Sequence, residues 1–225
     1  IIDHLSLSQP NQTFVENAKA ILEEVGYNVY YFRGEEVTVD FYRKLPSQGF
    51  RVIIFRVHST GECSMENITS DWIVFFTGET YSTLKYVQWQ MNAELVQVHF
   101  TGQDSPLYFG ITPLFVKQRM EGEFPETAII MMGCEGLKYD SMAEAFIQRG
   151  AKVYLSWNGP VTATHTDTAM TNLLEHLLLE RMTVAQAFAE TREEVGLDPA
   201  FKSQIEFYPI FAAPYIIPGP PASSI

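Results

Sequence analysis

Apolar residues recur at helical spacing at Phe14, Val15, Ala18, Ile21, Leu22 and Val25, which predicts a helix that Gly26 ends. The runs around it have a different pattern. Ile1 to Leu7 is a short strand-like start, and Tyr27 to Phe32 is rich in β-formers. Phe50 to Val57 is almost continuously apolar, as expected of a strand buried on both faces. Between these, Thr38 is placed to cap a short helix running to Leu45. The first 57 residues therefore read as strand, helix, strand, helix, strand.

The pattern then breaks. Ser59 to Ser70 is small, polar and loop-like. Trp72 to Phe76 and Val96 to Phe100 are candidate strands with an ambiguous stretch, Tyr81 to Glu94, between them. Residues 71–110 thus read as an insertion or hairpin on the sheet. Thr112 can cap a helix with Pro113 at its first position, running to about Met120.

Alternation resumes with a buried strand, Ala128 to Met132. Ser141 and Glu144 suggest a capping box for a helix that Gly150 ends. Ala151 to Ser156 is the next strand. Thr166 to Glu180 is an apolar helix, and Thr183 with Gln186 opens another that stops at Gly196. Ile205 to Tyr208 reads as an edge strand. Residues 209–225 form a proline-rich tail, either a strap or a linker. The order predicts one α/β domain over residues 1–208, with a mostly parallel sheet and helices on both faces.

Composition narrows the function. The 225 residues are 46% hydrophobic and 19% charged, enough to bury a sizeable core. The net charge is −12 and no basic block interrupts it, which argues against nucleic acid or an anionic membrane surface as partner. No apolar run reaches the ~20 residues of a membrane helix, so no membrane insertion is expected. The longest uncharged stretch, Phe207 to Ser224, is broken by five prolines. The chain starts at Ile1 without methionine, which suggests a processed or trimmed form. Asn11-Gln12-Thr13 and Asn67-Ile68-Thr69 match the glycosylation sequon. Together with the start and the tail, they point to an extracellular or cell-surface prokaryotic protein. Two cysteines, Cys63 and Cys134, allow at most one internal bridge.

In parallel α/β sheets the working residues sit on loops at the carboxyl ends of strands. After the Phe50–Val57 strand come His58, Ser59, Thr60 and Gly61; after Ala128–Met132 come Gly133, Cys134, Glu135 and Gly136. If the strands are neighbours, a histidine and a thiol reach the same sheet edge. A nearby histidine can take the thiol proton or stabilise the thiolate. Gly133 and Gly136 let backbone N–H groups approach a reacting carbonyl and hold its oxyanion. Such a site needs no metal and no cofactor. The bland readings stand beside it: a cysteine ending a buried strand is often a small hydrophobe, and a loop histidine is often a surface residue.

Strand-His-x-x-Gly followed by strand-Gly-Cys-x-Gly resembles the caspase-like (clan CD) cysteine peptidases. The stretch from Ala128 to Gly196 is closest to gingipain-like and CHAT-type sequences. The resemblance covers roughly residues 1–200 in element order and is specific only around His58 and Cys134. It implies a caspase-like three-layer α/β/α sandwich and a peptide or protein substrate. His58 would be the general base or acid, and Cys134 the nucleophile. Ser59, Gly61, Gly133 and Cys134 would surround the oxyanion hole. The loop Trp157-Asn158-Gly159-Pro160 would line the substrate pocket, with Trp157 as a wall, and Glu135 would lie beside it. Two departures stand out. Ser59 replaces the glycine usual after the histidine, and 76 residues separate His58 from Cys134 against about 50 in caspases. The 71–110 insertion accounts for the extra length. Glu62, Glu66 and Asp71 make the loop after His58 acidic, which would favour a basic substrate residue.

Other constellations are weaker. His165 and Asp167 could pair near the Trp157 loop, His176 reads as a helix-surface residue, and Asp3 and His4 read as structural. His58, Cys63, His99 and Cys134 match no standard zinc spacing. No glycine-rich phosphate loop follows the first strand. Two functions stay open: a Cys-His peptidase acting through a thioester, or a non-catalytic caspase-like binding domain, with or without a Cys63–Cys134 disulfide.

Overall fold

The computed structural model describes residues 1–61, 63–65, 68–100 and 106–220, with the backbone alone at 63–65 and 68–70. In chain order the elements are β1 (Ile2–Asp3), α1 (Gln12–Glu24), β2 (Phe32–Arg33), α2 (Val39–Lys44), β3 (Val52–Arg56), β4 (Ser59–Thr60), β5 (Cys63–Met65), β6 (Ile68–Ser70) and β7 (Val74–Thr80). They continue with α3 (Val87–Met91), β8 (Leu95–His99), β9 (Leu107–Ile111), α4 (Pro113–Gln118), β10 (Ala128–Met131), α5 (Ser141–Gln148), β11 (Val153–Trp157), α6 (Ala163–Leu174), α7 (Val184–Val195) and β12 (Ile205–Tyr208).

Six strands form the central sheet in the order β12-β11-β10-β3-β1-β2. All neighbours are parallel except β11 and β12, the antiparallel edge. Period-two alternation sends side chains to two cores. Ile53, Phe55, Ile129, Met131 and Tyr154 pack with α2, α4 and α5 on one face. Ile54, Ala128, Ile130, Val153 and Leu155 pack with α1, α6 and α7 on the other. The architecture is the expected α/β fold with a mostly parallel sheet between helical layers.

The strands β7, β8 and β9 of the inserted region join β4, just after His58, in a second, antiparallel sheet of order β4-β7-β9-β8. β4 directly follows His58, so this sheet is anchored beside the candidate site. The strand β9 is not set apart from its surroundings by the sequence pattern. It lies between β7 and β8, where its partners rather than its alternation define it.

Several boundaries moved for physical reasons. The strand expected over Tyr27–Phe32 is only Phe32–Arg33, because its partner β1 starts at Ile2. After Asp3 the chain turns into a 3₁₀ segment, His4–Leu7, with the Asp3 carboxylate accepting from the Ser6 N–H at 3.0 Å. Ser141 opens α5 but does not cap it; Asp140 holds that position without a side-chain bond, and the Ser141 hydroxyl has no partner among the described residues. Thr38, Thr112 and Thr183 cap α2, α4 and α7 as their spacing predicts. The tail acts as a strap as far as 220: the N–H groups of Val184 and Ala185 bond to Tyr215 and Ala213, and Ile217 is buried. Among the described residues no helix is long and apolar enough to cross a membrane.

Candidate active site

β3 and β10 are adjacent and parallel, with Met131 opposite Phe55. His58 and Cys134 therefore leave the same edge of the sheet from neighbouring strands. Their loops are bonded together. Ser59 Oγ donates to the Cys134 carbonyl at 2.5 Å, and the Gly61 N–H donates to Glu135 Oε2 at 2.8 Å. Lys138 closes on the other Glu135 oxygen at 2.8 Å.

The glycines are there because the loops touch. A Cβ at Gly133 would lie 2.3 Å from the Val57 carbonyl oxygen, and one at Gly136 would lie 2.1 Å from Ser156 Oγ. Between them, Glu135 takes the left-handed conformation (φ 59°), a conformation L residues seldom adopt. Its N–H donates to the Gly159 carbonyl and that of Leu137 to the Trp157 carbonyl, each at 2.9 Å. The cysteine turn is thereby pinned to the end of β11.

The two reacting groups face different partners. His58 Nε2 hydrogen-bonds Ser8 Oγ at 3.0 Å, and its ring packs against Phe100, Phe76 and the edge of His4. Burial, helped by the nearby Arg56 guanidinium, lowers the His58 pKa to about 4. Cys134 is a free thiol, half-buried, with Sγ 3.5 Å from both the Val161 N–H nitrogen and the Val161 carbonyl oxygen. Burial pushes its pKa up; the Val161 backbone opposes this, and the carboxylates of Glu135 and Asp198 add to it. No hydrogen bond joins His58 to Cys134. In this conformation the pair is a neutral imidazole and a neutral thiol on one sheet edge.

The structure corrects several expected roles. The Gly61 N–H is occupied by Glu135, so it is not an available oxyanion donor. Trp157 is fully buried, its Nε1 donating to Thr166 Oγ1 at 2.9 Å, so it belongs to the core and walls no pocket. Asn158 spends its side chain on β12, accepting from the Gln204 N–H and donating to Glu206. Glu135 braces the two loops. His165 and Asp167 do not pair: Asp167 turns to Arg56 and Asn11. His176 is buried rather than on the helix surface, between Glu194 and Glu180. Asn11 caps α1 and also donates to Asp167, so the first sequon is built into the fold. Cys134 is a free thiol, and the side chain of Cys63 lies outside the described residues, as do Asn67, Glu62 and Glu66. His99 Nδ1 bonds the Phe100 carbonyl oxygen at 2.9 Å, and the described residues contain no cluster of three or more metal-ligating side chains.

Arg56 is the residue that the sequence pattern concealed, since it sits inside an apolar run. It is completely buried. Nε and one terminal nitrogen grip Asp167 at 2.9 Å each, the other terminal nitrogen meets Asp3 Oδ1 at 3.0 Å, and the Gln9 carbonyl completes the set. The network ties β1, β3 and α6 two residues below His58. A charged residue near the end of an otherwise apolar strand was the available signal. Sequence comparison finds no matching protein-family model and no matching curated protein.

Proposed function

We propose that the chain is a caspase-like cysteine peptidase domain of the clan CD type, with Cys134 as nucleophile and His58 as proton carrier. The observation that carries this reading is the in-register pairing of β3 with β10, which delivers both residues to one edge on loops bonded to each other. In this reading the imidazole leaves Ser8 and the thiol leaves Val161 in a transient rearrangement of the free protein that a seated peptide favours. His58 takes the thiol proton, and the thiolate adds to the scissile carbonyl. The backbone N–H of Cys134 is the donor nearest the forming oxyanion. Collapse to the thioester breaks the C–N bond, and the leaving amine takes the proton from His58. Water, deprotonated by His58, then attacks the thioester and restores the thiol. Each role is filled by a group of this chain.

A second reading rests on a specific observation. The thiol and imidazole are each satisfied by other partners, and the thiol pKa is raised. A caspase-like binding domain without turnover would look the same. Fluorogenic peptide libraries separate the two. Turnover in the wild type that disappears in Cys134→Ala and His58→Ala, both folded, supports the peptidase. Absence of turnover across all peptides, together with no trapping of Cys134 by peptidyl electrophiles, supports the binding domain.

A further inference from the structure

The cysteine turn stands between two loops. The strand order β11-β10-β3 puts the loop of His58 on one side of it and the loop after β11, residues 158–162, on the other. The thiol at rest faces the second loop, with Sγ 3.5 Å from the Val161 nitrogen and 3.5 Å from the Val161 carbonyl oxygen. A thiol sulfur is a weak acceptor. A backbone N–H is therefore held at the reacting atom with little to bind.

The neighbouring backbone donors are spent. The Gly61 N–H goes to Glu135, those of Glu135 and Leu137 to the Gly159 and Trp157 carbonyls, and that of Thr162 to Asp198 Oδ2 at 2.9 Å. Among the described residues the Val161 N–H has Cys134 Sγ as its acceptor. Its peptide plane is fixed from both ends. The Pro160 carbonyl, the other half of the same peptide unit, accepts from Ser203 Oγ. A bond at that carbonyl polarises the unit and strengthens its N–H as a donor. On the far side, Thr162 is tied through its N–H and Oγ1 to Asp198, a fully buried carboxylate that also accepts from the Ala200 and Phe201 N–H groups. The Val161 side chain is itself buried.

We propose that the Val161 N–H is the second donor of the oxyanion hole, uncovered when the thiol turns from Val161 to His58; this rests on the peptidase reading. One movement then does two things. It brings sulfur to its base, and it frees a preorganised donor on the opposite side of the cysteine. Addition of the thiolate moves the π pair of the scissile carbonyl onto oxygen. With the leaving nitrogen on the His58 side, that oxygen lies toward the place sulfur left, beside the N–H groups of Cys134 and Val161. Collapse returns the pair to carbon and breaks the C–N bond, and the amine leaves with the proton that His58 took from the thiol. The donor missing at Gly61 is supplied from the other flank.

The test is Val161→Pro, which removes the N–H and keeps the carbonyl. Two reactions of Cys134 are compared at one pH, each corrected for Cys134→Ala. Acylation by p-nitrophenyl acetate passes through a tetrahedral oxyanion. Alkylation by iodoacetamide displaces iodide at a saturated carbon and makes none. Both need the thiolate, so its fraction cancels in the ratio of the two rates. The acylation-to-alkylation ratio is expected to fall about ten-fold or more in Val161→Pro, and kcat on peptides about 100-fold with little change in KM. If that variant does not fold, an ester in place of the 160–161 amide, installed with the α-hydroxy analogue of valine, removes the same N–H and is read by the same ratio. Wild-type peptide turnover with an unchanged ratio would overturn the donor and leave the peptidase reading standing. No wild-type turnover on any peptide would overturn the peptidase reading, and the oxyanion role of Val161 with it.

Discussion

Ser59 donates its hydroxyl to the carbonyl of Cys134, so the loop that carries the histidine is bonded to the loop that carries the cysteine. The glycine expected beside the histidine is thus replaced by a residue with a defined task. Ser59→Ala removes a donor from a half-buried carbonyl, a loss of about 1 kcal/mol. The expected outcome is a Tm lower by a few degrees and weaker exchange protection at 59–61 and 133–136. An unchanged Tm and protection pattern would mean that the two loops are held without this bond.

Gly133 is set by a close approach. Any Cβ there meets the Val57 carbonyl, the Met131 methyl group and Ser59 Oγ within 2.6 Å. Backbone cannot yield as a flexible side chain can. Gly133→Ala is therefore expected to cost about 2–4 kcal/mol, read from denaturant unfolding. Gly49, with nothing within 4 Å of its Cβ, serves as the contrast for crowding, although its left-handed φ of 68° gives Gly49→Ala a smaller strain cost of about 1 kcal/mol.

The Arg56 network is a buried charge set whose members depend on one another. Removing one partner leaves an uncompensated buried charge, which costs about 3–5 kcal/mol. Asp167→Ala and Arg56→Met are both expected to lose that much. The double variant is expected to lose less than the two added together. Additive losses in a double-mutant cycle would show that the ion pair is not the interaction removed.

Buried histidines set the acid response. His4 is fully buried, and its ring nitrogens make no well-formed hydrogen bond among the described residues, the Thr77 backbone offering only a weak one. Burial, and then the neighbouring His58, lower its pKa to about 4. His58 is lowered to about 4 as well. The unfolded chain protonates both near 6.5, while the folded chain refuses the protons until about 4. Stability therefore falls as pH drops from 6.5 to 4, by up to about 3 kcal/mol for His4 alone. His176 runs the other way. Burial alone would lower it, but Glu194 and Glu180 raise it overall. Its contribution is complete below the unfolded pKa and is lost as pH rises through the folded one. Two lowered groups outweigh one raised group, so acid destabilises. His4→Phe is expected to flatten urea stability between pH 6.5 and 4, and His176→Gln to cost more at pH 5.5 than at pH 8. An unaltered acid slope in His4→Phe would contradict the burial argument.

Much of this was legible in the chain because local chemistry and tertiary context agree there. The runs Phe50–Val57 and Ala128–Met132 are apolar at consecutive positions only because both faces of a central parallel strand are covered. Their pairing then follows from the topology. Threonine caps at 38, 112 and 183 announce themselves by local hydrogen bonding alone. What escaped depends on long-range partners. Trp157 looks the same in a sequence whether it walls a pocket or fills a core, and here Thr166, nine residues on, draws it inward. Arg56 was hidden because its neighbours are apolar and its two carboxylates lie 53 and 111 residues away. Residues 27–31 carry strand propensity without a strand, since a ladder needs a neighbour.

The most direct test of the Cys134–His58 pairing is the pH dependence of iodoacetamide alkylation at Cys134, read by mass spectrometry in the wild type and in His58→Ala. The thiol at rest is neutral, so alkylation well below pH 8 has to pass through a thiolate that His58 stabilises. A wild-type rate at pH 6–7 at least ten-fold above that of a folded His58→Ala is the predicted result. Equal rates in the two proteins, rising together as those of a buried ordinary thiol, would contradict it.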